Sequence, residues 1–272
     1  MNRRDFLQRA LICGAALQIP KLQAASGDLP AEEPLKDYLY RIRHPDLYHD
    51  GDILTETLLR PVLQSVDQRL NNVLRIVGYG NFNVLSFDEM LTYAKRYSKI
   101  GSFTKQELDL LEGLFYADAS NYGFYGDKPL NKLTQRIDKR AVRKIPHTGH
   151  YLFTDRSVAL YKKIRKEVGP DIVLTSGVRG IVKQMQLFIA KAARFDGNLS
   201  LASRSLAPPG YSFHGIGDFD VGIAGWGAKN FTEAFATTDE FKRLIDLGYI
   251  DIRYPVDNIL GVRFEPWHIK VS

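Results

Sequence analysis

The chain is poor in cysteine: its 272 residues include only Cys13, which lies within the first 25 positions. If those 25 residues are removed, no thiol remains, which excludes disulfide bonds and a cysteine nucleophile from the rest of the chain. A long apolar run is also lacking, because the run at residues 10–20 is shorter than the roughly 20 residues that cross a bilayer. With 44% hydrophobic residues, the sequence can still supply a full globular core.

A strong excess of either charge is lacking too. The formal net charge is +6 at pH 7, and about half of it comes from residues 1–25. The rest of the chain is therefore only slightly basic. Its composition does not indicate a nucleic-acid partner.

The first 25 residues predict a targeting segment rather than part of the fold. They combine the pair Arg3 and Arg4, the short apolar run, and small residues at Ala24 and Ala25. The stretch "RRDFL" resembles a twin-arginine (Tat) export signal, whose machinery passes folded proteins. An ordinary basic signal peptide is the alternative. We expect a periplasmic or otherwise exported protein with no stable membrane span after signal removal.

The stretch that follows predicts an arm and then several helices. Residues 27–50 are polar and contain prolines, which favours a linker or a draped arm. Over residues 58–77 apolar residues recur at three- and four-residue spacing, which predicts an amphipathic helix. "SFDE" from Ser86 and "TKQE" from Thr104 are capping boxes, and each predicts the start of a further helix.

The pattern changes near Pro146, which separates a helical region at residues 26–145 from a mixed region at residues 146–272. In the mixed region, "DIVLTSG", "DFDVG", "YIDIRYP" and "GVRFEPWHIKV" predict strands. "DRSVALYKKIRKEV", "IVKQMQLFIAKAARF" and "TTDEFKRLIDLG" predict helices. Strands and helices mix without βαβ regularity, so we expect an α+β fold rather than a parallel sheet.

Two short stretches contain the residues best suited to chemistry. "GYSFHGIGDFDVG" holds His214, Asp218 and Asp220, and "FEPWHIKVS" holds Glu265 and His268. Two histidines and one carboxylate suit Zn²⁺ with a fourth position left open, and the glutamate suits a general base. On a strand the two aspartates share a face, and only one of them needs to bind the metal. A structural His–Asp hydrogen bond is the other interpretation of the same residues.

The motifs "SGVRG", "APPGYSFHGIGDFDVG", "RYP" and "EPWH" stand in an order and spacing similar to those of a known family. Residues 146–272 resemble the VanY-like D-alanyl-D-alanine carboxypeptidases, which are LAS-type zinc peptidases. The resemblance implies a Hedgehog/DD-peptidase-like zinc peptidase domain with a small antiparallel sheet. It implies zinc ligation by His214, Asp220 and His268, base catalysis by Glu265, and substrate binding by Arg179, Gln184 and Ser212.

The chain departs from the family pattern at several positions. The family aspartate follows the first histidine by seven residues, whereas Asp220 follows His214 by six and Asp218 by four. The "DVG" that begins at Asp220 matches the family and favours Asp220 as the ligand. Gly180 also replaces the serine that usually follows the family arginine, which leaves the substrate preference open.

The position of Glu265 relative to His268 raises a geometric question. In a regular strand these two side chains would face opposite ways. Pro266 cannot donate a ladder hydrogen bond and therefore predicts a bulge or an irregularity at this point. Trp267 is expected to pack in the core.

These features predict a zinc-dependent D-alanyl-D-alanine carboxypeptidase that trims peptidoglycan stem peptides. A peptidoglycan endopeptidase or a D,D-dipeptidase of the same fold is the alternative among enzymes. A non-catalytic cell-wall-binding protein that retains the zinc fold is the alternative outside them. The missing residue in the histidine motif supports that alternative, whereas the presence of Glu265 argues against it.

Overall fold

The structure, a computed structural model, describes residues 32–271. The predicted targeting segment lies outside the described residues. Within the described part, no helix is both long and apolar enough to cross a membrane.

The first half of the described chain is helical. Short 3₁₀ turns at Thr57–Leu59 and Ala119–Tyr122 accompany the α-helices. These helices are α1 (Glu32–Arg43), α2 (Arg60–Val77), α3 (Tyr79–Phe82), α4 (Phe87–Arg96) and α5 (Lys105–Tyr116).

Local sequence signals explain where these helices begin. α2 buries one apolar face, and Pro61 lies in its first turn, where a missing N–H costs no helical hydrogen bond. Both capping boxes are confirmed. Ser86 accepts a hydrogen bond from the backbone of Glu89, Thr104 accepts one from Glu107, and each glutamate side chain accepts one in return.

The arm predicted for residues 27–50 is wrong over the length of α1. Asp37 and Arg41 lie four residues apart and form an ion pair of 2.7 Å on the helix surface, a spacing that supports a helix. Pro34 falls in the first helical turn, where proline is tolerated. One of the prolines that favour a linker thus lies at a position where a helix tolerates it.

The second half mixes strands and helices. Three 3₁₀ turns lie at Phe213–Gly215, Gly227–Phe231 and Glu233–Thr237. The regular elements are β1 (Val142–Lys144), β2 (Tyr151–Phe153), α6 (Ser157–Glu167), β3 (Ile172–Ser176), α7 (Ile181–Arg194), α8 (Leu199–Ser203), β4 (Phe219–Ile223), α9 (Asp239–Asp246) and β5 (His268–Ile269).

Two small antiparallel sheets organise this half. β1 pairs with β2, and β4 lies between β3 and β5 in a three-stranded sheet. The predicted α+β class is confirmed, with a helical region followed by a mixed region. β4 is buried along its whole length, which fits its place at the centre of the sheet.

Two large apolar cores support the fold. The first core joins α2, α4 and α5 to α7 and α8, so it combines side chains from both sides of residue 146. The second core packs the three-stranded sheet against α6 and α9, and it includes the buried Trp267. The domain boundary near Pro146 remains a prediction.

The strand predicted for "YIDIRYP" is wrong, because the described residues 249–264 contain neither helix nor strand. Arg253 and Tyr254 are neighbours in sequence, yet both side chains lie near His268. Arg253 donates to Asp218, the hydrogen-bond partner of His268, and Tyr254 contacts the His268 ring. A strand would direct them to opposite faces. The tertiary contacts of the two side chains therefore override the alternating pattern.

Candidate active site

The central sheet brings two of the predicted ligands together. Asp220 on β4 and His268 on β5 are direct register partners. His214 lies on the 3₁₀ turn Phe213–Gly215, which precedes β4. All three side chains are buried, and each offers a ligand atom within 4.8 Å of the other two.

The protonation of His214 follows from its hydrogen bond. Its Nδ1 lies 2.9 Å from the carbonyl oxygen of Gly177, which can only accept, so Nδ1 carries the proton. Its Nε2 is buried, makes no hydrogen bond and lies 3.3 Å from Asp220 Oδ1. A metal ion can bind this ring nitrogen without breaking a hydrogen bond, and the nearby carboxylate oxygen can bind the same ion.

The two aspartates reach His268 from opposite sides. Asp220 Oδ1 lies 3.1 Å from Nδ1 of His268, whereas Asp218 Oδ2 lies 2.9 Å from its Nε2. Asp220 also faces His214, but Asp218 instead contacts Arg253. Of the two candidate ligands, the geometry places Asp220 in the cluster and Asp218 behind His268.

Charge is unevenly distributed in this cluster. Burial and the nearby Arg179 lower the pKa of His214, so its imidazole is neutral. Burial alone would raise the pKa of Asp220, but His214, His268 and Arg179 lower it. Burial would lower the pKa of His268, but hydrogen bonds to Asp218 and Asp220 raise it to about 9. Without a metal, a carboxylate and an imidazolium therefore face each other here.

Glu265 lies beside the cluster because the chain turns at Pro266. His268 N–H donates to the carbonyl oxygen of Glu265 at 3.2 Å, which closes a four-residue turn with proline at its second position. The predicted irregularity is therefore a turn rather than a bulge. It places Glu265 Oε2 3.9 Å from His268 Nδ1. Burial raises the pKa of Glu265 to about 7, in the range that suits proton transfer near neutral pH.

The predicted substrate-binding residues lie around the same cluster. Arg179 Nη2 lies 3.3 Å from Asp220 Oδ2, while its Nε is buried without a hydrogen-bond partner. Gln184, on the first turns of α7, accepts a hydrogen bond from Arg179 Nη1 at 3.4 Å and donates to the carbonyl oxygen of Ala207. Ser212 is buried next to the His214 turn. Arg179 and Ser212 line the cleft, and Gln184 holds Arg179.

The cleft itself is small, with a volume of about 30 Å³. Its lining includes residues to which the sequence analysis assigned no role. Tyr254 stands in the "RYP" motif, and its ring centre lies 5.9 Å from that of His268. The motif carried a signal for this residue, but nothing local indicated that its ring faces the histidine. The other such residues in the lining are Ser205, Leu206, Ala207, Phe213 and Val262.

The donor set fits a zinc ion. Two imidazole nitrogens and one carboxylate oxygen are typical of zinc sites that keep a position open for chemistry. The orphaned Nε2 of His214 is a second indication, since a buried polar atom without a partner is costly to a fold. The residues present are therefore those that would hold the ion.

Comparison with protein families identifies the C-terminal part of the chain. Residues 154–271 match the model of the VanY family, which is described as D-alanyl-D-alanine carboxypeptidase. No curated protein sequence matches the chain.

Two solved structures are similar to the chain. The LdcB LD-carboxypeptidase, solved in connection with peptidoglycan recognition, is 25% identical, with a TM-score of 0.39 over 47% of this chain and 61% of the LdcB chain. A mutant of the vancomycin-resistance D,D-pentapeptidase VanY, solved with Zn(II), is 21% identical, with a TM-score of 0.41 over 54% of this chain and 85% of its own. The chain thus spans about three fifths of LdcB.

The family match agrees with the motifs noted in the sequence and with the fold. The matched segment contains β3, β4 and β5, together with all seven residues to which the resemblance gave a role. The predicted family is thereby confirmed, and with it the zinc-peptidase fold of the C-terminal part. Residues 154–271 thus match the VanY-like D-alanyl-D-alanine carboxypeptidase family.

Proposed function

We propose that the protein is a zinc-dependent D-alanyl-D-alanine carboxypeptidase that trims the stem peptides of peptidoglycan. One observation carries the proposal: within the family domain, His214, Asp220 and His268 converge on one buried point, and Glu265 lies beside it. A module that only binds the wall needs no largely buried carboxyl group with a pKa near neutrality next to a metal site.

The residues of the chain divide the chemistry between them. His214, Asp220 and His268 would hold Zn²⁺, which when bound polarises the scissile carbonyl and makes the attacking water more acidic. Glu265 takes a proton from that water on its carboxylate and returns it to the nitrogen of the leaving amino acid. Its burial supports both steps, because a carboxyl group with a pKa of about 7 can give up and take back a proton.

Arg179 is the group that would hold the terminal carboxylate of the substrate. A guanidinium group can donate two parallel hydrogen bonds to a carboxylate. Its Nε is buried and unpartnered, so one donor is available without breaking another contact. The hydrogen bond to Gln184 fixes the plane of the guanidinium.

The cellular setting follows from the proposed substrate. Peptidoglycan lies outside the cytoplasmic membrane, so a protein that trims it is exported. The twin-arginine signal proposed for residues 1–25 would supply the route through the Tat machinery.

A comparison of two substrates tests the proposal. A stem peptide that ends in D-Ala-D-Ala is supplied to the zinc-loaded protein as the free acid or as the C-terminal amide, and released D-alanine or D-alaninamide is measured by mass spectrometry. The free acid should be cleaved far faster, because the amide cannot accept a charged bidentate pair. Equal rates would favour an endopeptidase. Zinc binding without cleavage of stem peptides or intact peptidoglycan would favour the non-catalytic wall-binding alternative.

A further inference from the structure

Asp218 is a wholly buried carboxylate that lies outside the cluster of candidate ligands. It is 0% exposed. Its Oδ2 accepts hydrogen bonds from His268 Nε2 and from Arg253 Nε, both at 2.9 Å. Its Oδ1 accepts the backbone N–H of Val271 at 2.8 Å. Both carboxylate oxygens are thus engaged by groups from the last 20 residues of the chain.

The contact with Asp218 decides which nitrogen of His268 faces the cluster. An ionised carboxylate can only accept, so Nε2 carries a proton and Nδ1 is directed toward Asp220. β5 has only two residues, so the sheet alone gives His268 little support. The hydrogen bond that the Val271 N–H donates to Asp218 fixes the chain just beyond His268. Asp218 thereby holds both the ring and the backbone that carries it.

Arg253 makes the buried charge of Asp218 tolerable. Its guanidinium lies 3.5 Å from the centre of the Phe213 ring, and Phe213 directly precedes His214. A buried carboxylate paired to a stacked arginine remains ionised. A series of contacts therefore runs from Phe213, the neighbour of His214, through Arg253 and Asp218 to His268. It links both histidines of the cluster.

We propose that Asp218 is a positioning residue, which orients His268 so that Nδ1 is presented as a metal ligand and which does not itself bind the ion. The inference rests on the zinc site of the proposed function. A carboxylate behind a metal-binding histidine fixes the ring and makes it a stronger donor, and loss of such a partner weakens metal affinity by about 10- to 100-fold.

Zinc affinity tests this role without any measurement of activity. The dissociation constant is measured by competition with a fluorescent zinc chelator for the wild type, Asp218→Ala and Asp218→Asn. Asp218→Ala should bind zinc about 10- to 100-fold more weakly. Asp218→Asn should fall between it and the wild type, because the amide oxygen still accepts from Nε2 but carries no charge. If Asp218→Ala fails to fold, Asp218→Asn should still show the weakened affinity.

Asp52 provides a matched control, because it is a second buried carboxylate with an arginine partner. Its two oxygens each lie 2.8 Å from the guanidinium of Arg204, outside the cluster. Asp52→Asn should lower the thermal midpoint of the metal-free protein, while its zinc affinity stays within about twofold of the wild type.

The outcomes separate this inference from the proposed function. If the wild type binds no zinc, the zinc site itself is wrong and the inference falls with it. If the wild type binds zinc and both Asp218 variants bind it equally well, only the positioning role is overturned. If Asp52→Asn weakens zinc as much as Asp218→Asn, the effect is a general loss of stability, and the inference is again overturned.

Discussion

Glu265 illustrates how one residue acquires its chemical character from its surroundings. Burial raises the pKa of its carboxyl group to about 7, whereas the imidazolium of His268 and the guanidinium groups nearby oppose that rise. The turn at Pro266 is what brings the carboxyl group to the same side as His268. Burial thus brings the pKa of Glu265 near neutrality, and the backbone turn places its carboxyl group beside His268.

Removal of this carboxyl group should abolish most of the turnover while the fold remains. Glu265→Gln keeps the size of the side chain but removes the base, so kcat should fall by about 10² to 10⁴-fold, the range of general acid–base groups. Release of D-alanine and zinc content are measured on the same preparation. Glu233→Gln, at an exposed position of a 3₁₀ turn, is the control and should match the wild type. A wild-type rate in Glu265→Gln would remove this residue from the mechanism.

Arg179 should determine whether the enzyme recognises a free carboxyl terminus. Arg179→Lys keeps the positive charge but loses the planar pair of donors. We expect most of the preference for free-acid over amide substrates to disappear, chiefly through a higher KM for the acid. The ratio of kcat/KM for the two substrates is the measurement. An unchanged ratio would mean that Arg179 only neutralises Asp220.

At the scale of the element, α7 supports the candidate active site and also buries a lysine side chain. Lys183 is only 7% exposed, and its Nζ donates to Gln186 at 2.9 Å and lies 5.5 Å from the centre of the Tyr79 ring. Burial lowers the pKa of Lys183 to about 8. The helix therefore holds a cation that would be more stable in water.

The pH dependence of the free energy of unfolding should reveal the cost of burying the Lys183 ammonium group. Because the folded-state pKa lies below the unfolded value, the unfolded chain binds more protons between about pH 8 and pH 10.5, and the free energy of unfolding rises with pH across that window. Below about pH 8 the full penalty is present. Lys183→Met should therefore stabilise the protein at neutral pH by a few kcal/mol at most and should abolish the rise.

Urea unfolding of the wild type, Lys183→Met and Lys95→Met at about pH 7 and about pH 10 measures the effect. Lys95 is exposed on α4, so its replacement should leave the pH dependence unchanged. A wild type whose stability does not rise relative to Lys183→Met over this range would contradict the expectation.

Elements defined by local chemistry were predictable, and those defined by distant contacts were not. The capping boxes at Ser86 and Thr104 involve residues three apart, so a short window of sequence contains the whole signal. Tyr254 and Arg253 depart from strand alternation because of contacts with residues many positions away. No periodicity in a single sequence records such contacts.

The same distinction applies to the candidate site. His214, Asp220, His268 and Glu265 could be named because their motifs resemble those of a family. The role of Asp218 could not be inferred, because alternation places it on the same face as Asp220 and leaves both open as ligands. The contacts of the two carboxylates distinguish them: Asp220 faces both His214 and Nδ1 of His268, whereas Asp218 lies at Nε2 of His268.

At the scale of the whole molecule, the helical half and the peptidase half share one core. Leu114 on α5 is 1% exposed in the core that also contains α7 and α8. α7 in turn begins directly after Arg179 and Gly180. The helical half therefore helps to support the cleft. Loss of packing in the helical half should lower the stability of the whole molecule.

A cavity in the helical half should accordingly destabilise both halves together. Leu114→Ala should cost about 2–5 kcal/mol of unfolding free energy, whereas Leu58→Ala, at a site 86% exposed, should cost almost nothing. Of the two tryptophans, Trp267 lies in the second core and Trp226 packs against it, so their fluorescence reports on the C-terminal half. Circular dichroism reports mainly on the helices. The two signals should shift together, and a shift in circular dichroism alone would contradict a shared core.

The small size of the cleft determines how tightly any substrate can be held. A volume of about 30 Å³ has room for one or two water molecules but not for the end of a peptide. If the cleft widens to admit the end of a peptide, the observed dissociation constant is the intrinsic one divided by the fraction of molecules with the wider cleft. Residues 249–264 contribute Tyr254 and Val262 to the lining and contain neither helix nor strand. Substitutions that increase the fraction of molecules with a wider cleft should therefore raise the affinity for substrate without any new contact to it.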